Sequence, residues 1–266
     1  MKPKVLIPYG FGLNCEDETE YAFKSAGANV DKIHLKYLFD KPNPLSNYHL
    51  LAFVGGFSFG DHISAGKVLG NLYRLKLGEE IRRFLSDGKL IFGECNGFQV
   101  MVKSGILPSF NGENNIQNTT LMNNDSGVFE DRWVQLNVNQ KSKCVFTKNI
   151  RNIYLPIRHG EGKFVAKDQT ILERLKENNQ IVMQYANDKM QPTMEYPMNP
   201  NGSMEAIAGI CDPTGRVFGL MPHPTAYLTV FNHPRYYKMK INGQIEPAQG
   251  TLIFKNATQY IEKELC

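Results

Sequence analysis

The chain has 266 residues, 42% of them hydrophobic and 21% charged, with a net charge of +4 and a pI near 8.7. That length fits one large α/β domain with insertions, or two small ones, and the composition is that of a globular protein. No apolar run is long enough to span a bilayer, and the scattered Lys and Arg residues exclude the concentrated basic stripe that nucleic-acid binding needs. Neither a membrane nor a nucleic acid is expected as a partner. The start, Met-Lys-Pro-Lys, leads straight into a strand-like stretch without the apolar segment and cleavage site of a signal peptide, so a cytoplasmic location is expected. The five cysteines, 15, 95, 144, 211 and 266, show no CxxC pair and no metal-ligand spacing. An odd count in such a chain favours free thiols, and no metal is expected.

In chain order, residues 4–8 (KVLIP) have the composition of a buried strand, followed by a turn holding Gly10, Gly12 and Asn14. Glu16, Asp17 and Glu18 suit the positive end of a helix that runs to Ala26. Residues 30–35 give a second strand, 50–54 (LLAFV) a third, and a helical pattern covers the region up to Leu85. Residues 90–92 (LIF) form a fourth strand, and a helix over 96–103 follows at once. Strands alternating with helices predict an α/β fold, with a central, mostly parallel sheet flanked by helices. Working residues in such sheets lie at the carboxyl ends of strands.

The remainder is less regular. Residues 111–124 read as an Asn-rich loop, 133–138 (WVQLNV) as a half-exposed strand, 158–162 (RHGEG) as a turn and 168–178 as a short helix. Residues 195–203 read as a loop and 217–220 (VFGL) as a last strand, and 251–265 carries a helical pattern. A single domain over 1–266 is expected, with a C-terminal extension from about 226 to 266. Residues 232–237 (NHPRYY) are aromatic and basic, which suits either partner docking or a packed surface loop.

Three strand ends carry chemistry. Gly93-Glu94-Cys95-Asn96-Gly97 has the G-x-nucleophile-x-G form of a nucleophile elbow, where a sharp turn demands small neighbours. It would hold Cys95 at a helix N-terminus, where the dipole favours thiolate; the alternative is a buried, inert cysteine. His223 lies between two prolines after the last strand, a stiff position that suits a general base, or equally a turn histidine. Residues 55–61 (GGFSFGD) also follow a strand and suit an oxyanion hole, the alternative being a plain βα turn. No Walker lysine is present. Cys15, outside any paired motif, reads as structural.

GECNGFQ (93–99), VGGFSFGD (54–61) and GLMPHP (219–224) together resemble a class I glutamine amidotransferase. More narrowly they are similar to the branch that serves as the glutaminase subunit of phosphoribosylformylglycinamidine synthase. GLNCEDE (12–18), FEDRWV (129–134), PIRHGEGKF (156–164) and NPNGS (199–203) agree, in family order. The resemblance implies a flavodoxin-like fold and hydrolysis of glutamine through a thioester on the nucleophile Cys95, with His223 as acid/base. It also implies an oxyanion hole at Gly56 and Asn96, and substrate contacts from Phe57, Gln99, His159, Gly160 and Glu161. The ammonia would pass to an ATP-using synthetase that makes phosphoribosylformylglycinamidine in purine biosynthesis, with a small accessory subunit as a further partner. ATP and magnesium would sit on that synthetase, with no cofactor in this chain.

One position departs. The family has a glutamate two residues after the histidine, and this chain has Thr225. A carboxylate there orients the imidazole and stabilises its protonated form, whereas threonine carries no charge. Two outcomes stay open, weakened catalysis or a Cys–His pair that suffices because cysteine is intrinsically more reactive than serine, and Glu161 is a candidate substitute acid. Two further readings stay open: a binding or regulatory paralogue with little activity, and a related cysteine hydrolase or glyoxalase-like α/β protein sharing only the elbow.

Overall fold

The computed structural model describes residues 2–110 and 116–266. Its main elements in chain order are β1 (Lys4–Tyr9), α1 (Glu16–Ser25), β2 (Asn29–His34), α2 (Leu35–Asp40), β3 (Leu50–Phe53), α3 (Lys67–Ser86), β4 (Leu90–Glu94), α4 (Asn96–Ser104) and β5 (Thr119–Met122). They continue with β6 (Glu130–Val138), β7 (Asn152–His159), β8 (Lys163–Ala166), α5 (Gln169–Glu177), β9 (Ile181–Ala186), β10 (Ile207–Cys211), β11 (Val217–Leu220), α6 (Tyr236–Ile241) and α7 (Thr251–Glu264).

Among the described residues one nine-stranded sheet has the order β2-β1-β3-β4-β11-β10-β9-β6-β7. The first five strands pair in parallel. The last four continue antiparallel. The parallel strands β1, β3, β4 and β11 are buried because helices cover both faces, while β2 at the edge stays largely exposed. Val5 and Ile7 of β1, with Leu90 and Phe92 of β4, face Phe23 of α1 and Phe254 of α7. Leu6 and Ile91 point the other way, toward Tyr73 of α3 and Phe98 of α4. This alternation is the period of two that a strand imposes. The C-terminal helix α7 closes one face, with Ile253, Phe254, Ala257 and Ile261 fully buried. No helix among the described residues is long and apolar enough to cross a membrane.

Several elements differ from the sequence expectation. Of the expected loop over 111–124, residues 111–115 lie outside the described residues, and Thr119–Met122 form β5, paired with β8. Arg158 and His159, expected in a turn, end strand β7 opposite Asp131 and Glu130. Pro156 disguised this strand; proline lacks the N–H of an inner ladder, but β7 is an edge strand and tolerates it. In the 232–237 stretch, the His233 ring packs among Trp133, Tyr154 and Tyr227, while Tyr237 is exposed.

Candidate active site

Strands β1, β3, β4 and β11 are parallel neighbours, so their carboxyl ends open on one edge of the sheet. The segments leaving them carry Cys15, Gly56, Cys95 and His223. The turn after β3 is locked to the turn after β1: the N–H groups of Asn14 and Cys15 both donate to the Gly55 carbonyl, at 3.1 and 3.3 Å, and Phe57 N–H donates to the Gly12 carbonyl at 2.8 Å. Gly56 has φ +143°, and a Cβ there would lie 2.7 Å from Leu13 Cα, so only glycine fits between the two turns.

Cys95 occupies the elbow. Its backbone sits at φ 53°, ψ −110°, a conformation costly for a residue with a side chain. The turn is held by Cys95 N–H donating to the Leu220 carbonyl at 2.8 Å and by close packing of α4 on β3. A Cβ on Gly97 would come 2.0 Å from the Phe53 carbonyl oxygen, which explains the second glycine of the motif. The thiol is 6% exposed and lies at the N-terminus of α4, the positive end of the helix dipole; it contacts the Arg158 carbonyl at 3.6 Å.

His223 is anchored by its N–H donating to the Pro156 carbonyl at 2.8 Å. Its ring is buried, with Nε2 lacking any hydrogen-bond partner. Nδ1 lies 2.9 Å from Glu94 Oε1. Glu94, the last residue of β4, is wholly buried. Thr225 serves the same carboxylate: its hydroxyl donates to Oε1 at 2.5 Å and its N–H to Oε2 at 3.2 Å. Thr225 therefore touches Glu94 rather than His223. The Arg158 guanidinium also comes within 3.3 Å of Nδ1, but a guanidinium only donates, so it bonds Nδ1 only when that nitrogen carries no proton.

Burial of His223 opposes its charged form, but the negative charges of Cys95 and Glu94 outweigh it, and the imidazole is held well above its ordinary range. Cys15, read as structural, lies beside this cluster: its Sγ is within 4.8 Å of donor atoms of Glu94 and His223. Burial pushes the Cys15 thiol upward. Among the described residues these three side chains form a cluster that could hold a metal ion, although the carboxylate and Nδ1 already bond one another.

A second wall comes from the turn after β7. The Glu161 carboxylate accepts from Ser64 Oγ at 3.1 Å and Ala65 N–H at 3.0 Å, and lies 3.6 Å from the buried ammonium of Lys103. It has no contact with His223 in the cluster just described, so the expectation of Glu161 as the substitute acid is corrected. Gln99 Nε2 donates to the Glu161 carbonyl at 2.6 Å, and Asn96 Nδ2 donates to Gln99 Oε1 at 2.9 Å and Asp61 Oδ1 at 3.3 Å. Burial and the neighbouring Glu161 charge push Asp61 up to about 6. His159 lines the same cavity as Gln99 and Glu161, and its ring is held by two asparagines. The ring lies between Asn124 Oδ1 (3.1 Å) and Asn201 Nδ2 (3.5 Å), and burial drives it down to about 3, so it braces the loop as a neutral ring.

Two cavities meet at Cys95 and Gly56. One of about 310 Å³ is lined by Phe57, Asp61, Gln99, Gly160 and Glu161. The other, about 270 Å³, is lined by Cys15, Glu18, Arg158 and His223. The thiol thus faces a polar chamber on one side and an unpaired imidazole nitrogen on the other, an arrangement suited to nucleophilic attack on a small polar substrate.

The model of the CobB/CobQ-like glutamine amidotransferase domain matches residues 2–261. The chain belongs to this glutamine amidotransferase family. It is 44% identical to a protein of Methanococcus maripaludis named phosphoribosylformylglycinamidine synthase subunit PurQ, over 98% of both chains. A Dehalococcoides mccartyi protein of the same name is also 44% identical, over 97% of this chain and 98% of its own. Among solved structures, the PurLQS structure from Thermotoga maritima contains a chain matched with a TM-score of 0.72 and 28% identity, over 98% of this chain and 100% of that one. The sheet with its parallel core strands and flanking helices is that of a class I glutamine amidotransferase.

The structure brings Cys95, His223, Gly56, Asn96, Gln99 and Glu161, all named from the sequence, to one place. Sequence reasoning passed over Glu94, Cys15, Arg158 and Asp61. Glu94 did leave a signal: it is a charged residue closing the otherwise apolar strand LIFGE, and carboxylates are rarely fully buried unless paired.

Proposed function

We propose that the chain hydrolyses glutamine to glutamate and ammonia and delivers the ammonia to a phosphoribosylformylglycinamidine synthetase in purine biosynthesis. The observation that carries the chemistry is the Cys95 elbow, whose strained backbone sets the thiol at the N-terminus of α4, in one cavity with His223 and its unpaired Nε2. In this reading the Cys95 thiolate attacks the side-chain amide carbon of glutamine, lying in the chamber of Gln99 and Glu161. The negative oxygen that forms is stabilised by N–H groups of Gly56 and Asn96. Phe57 N–H is already tied to Gly12, so Gly56 is the amide assigned within that turn. His223 gives its proton to the departing ammonia, leaving a glutamyl thioester on Cys95. It then takes a proton from water, whose oxygen attacks the thioester; glutamate leaves and the thiolate returns.

The names of the relatives support the assignment to phosphoribosylformylglycinamidine synthase. By extension, the partner is an ATP- and magnesium-using synthetase subunit, with a small accessory subunit, in the cytoplasm, and this chain needs no cofactor of its own. The test measures glutamate release from glutamine with and without the synthetase. Wild type is expected to turn over and Cys95→Ala to fall to background. Equal rates in the two proteins would remove the assignment.

A further inference from the structure

We infer that Glu94 is the positioning residue for His223, supplying from the residue before the nucleophile the carboxylate that the family places two residues after the histidine. The inference rests on the glutaminase reading above and deepens it. Three observations carry it. Glu94 Oε1 is 2.9 Å from His223 Nδ1, the nitrogen remote from the unpaired Nε2. A proton held on Nδ1 by the carboxylate leaves Nε2 as the working nitrogen, which is the tautomer the chemistry requires. Second, the carboxylate is wholly buried yet fully bonded, by His223 on Oε1 and by the hydroxyl and N–H of Thr225 on its two oxygens. Third, the residue in the family's glutamate position is the one that holds the substitute in place: Thr225 fixes the carboxylate against rotation instead of providing one.

The geometry couples two sequence features. The helix-proximal end of β4 and the segment after β11 are adjacent because those strands pair in parallel, Glu94 opposite Leu220. A carboxylate projecting from β4 thus reaches the imidazole from the neighbouring strand end. The charged and titratable groups facing His223 are Glu94 and Cys95 from β4 and the elbow, Cys15 from the turn after β1, and Arg158 and His159 from β7. Only Glu94 both accepts from Nδ1 and stabilises the imidazolium. With a carboxylate in place, Thr225 no longer argues for an inactive binding paralogue.

The experiment compares steady-state glutaminase kinetics, with synthetase present, for wild type, Cys95→Ala, Glu94→Gln, Glu94→Val, Thr225→Glu and Glu94→Val/Thr225→Glu. Glu94→Gln keeps shape and removes charge. Its kcat is expected to fall by about 100-fold or more while KM for glutamine stays within about threefold. Its high-pH limb should move to lower pH, because the imidazolium has lost its counter-charge. Thr225→Glu alone sets two carboxylates together and should lower activity. The double variant returns a single carboxylate to the ring and should exceed Glu94→Val in kcat. If Glu94→Gln does not fold, as judged by circular dichroism, the last comparison still decides. Wild-type-like kcat and pH profile in Glu94→Gln, alongside an inactive Cys95→Ala, would overturn the inference and leave the glutaminase reading standing. A double variant no better than Glu94→Val would also overturn it. An inactive wild type would take down both.

Discussion

The two halves of the sheet do different work. In the parallel half, β1, β3, β4 and β11 end on one edge, and the segments leaving them bring Cys15, Gly56, Cys95 and His223 to one cavity. In the antiparallel half, β7 ends near the same edge and delivers a wall: the Arg158 carbonyl and guanidinium, the braced His159 ring and the Glu161 turn. The parallel half depends on backbone geometry, since its glycines and its elbow leave no room for adjustment. The antiparallel half depends on hydrogen bonds and an ion pair that cross to the segment before α3 and to α4. A change in the first half should therefore damage everything at once, and a change in the second should alter substrate binding selectively.

The largest effect is expected from Gly97→Ala. Its new methyl group would collide with the Phe53 carbonyl at 2.0 Å, where both partners are backbone. The loss is about 3 kcal/mol of stability, read by denaturant unfolding, together with most of the glutaminase activity. A variant as stable and active as wild type would show that the elbow is more compliant than its packing implies.

A smaller and more selective effect is expected from Glu161→Gln. It weakens the clasp on Ser64 and Ala65 and removes the counter-charge of Lys103, so the wall loosens while the thiol and imidazole stay in place. KM for glutamine should rise by roughly 10-fold, the value of one charge-assisted hydrogen bond, with kcat changed far less. If kcat fell as KM held, the division of labour between the halves would be wrong.

The smallest effect is one of stability against pH. Asp61 is pushed up to about 6 in the folded chain, so between its ordinary value near 3.8 and about 6 the folded state holds a proton that the unfolded state has lost. Stability therefore drains away as pH rises through that window, and above it the full cost is present. Asp61→Asn should unfold at a higher temperature than wild type at pH 7.5, and the difference should shrink toward pH 4. Thermal melts across that range check it; a constant difference would show that the carboxylate is not strained by burial and Glu161.

What was legible in the sequence had local causes. The parallel strands announced themselves as short apolar runs, the elbow as glycines spaced around a cysteine, and α1 by its acidic first turn. The edge strand β7 was hidden because Pro156 and a charged end break the usual run, and only its pairing with β6 makes it a strand. Among the site residues, Cys95 and His223 were visible because turn chemistry marks them from within their own segments. The carboxylate on His223 was not. The missing glutamate at 225 is a local fact, but its replacement lies 131 residues earlier in the chain, and the two meet only because β4 and β11 are neighbours. Sequence by itself determined where the elbow falls and that a cysteine occupies it, since an elbow is a property of five consecutive residues. Tertiary structure alone decided which acid stands behind the histidine, because a 2.9 Å contact between two strand ends is set by sheet order and register.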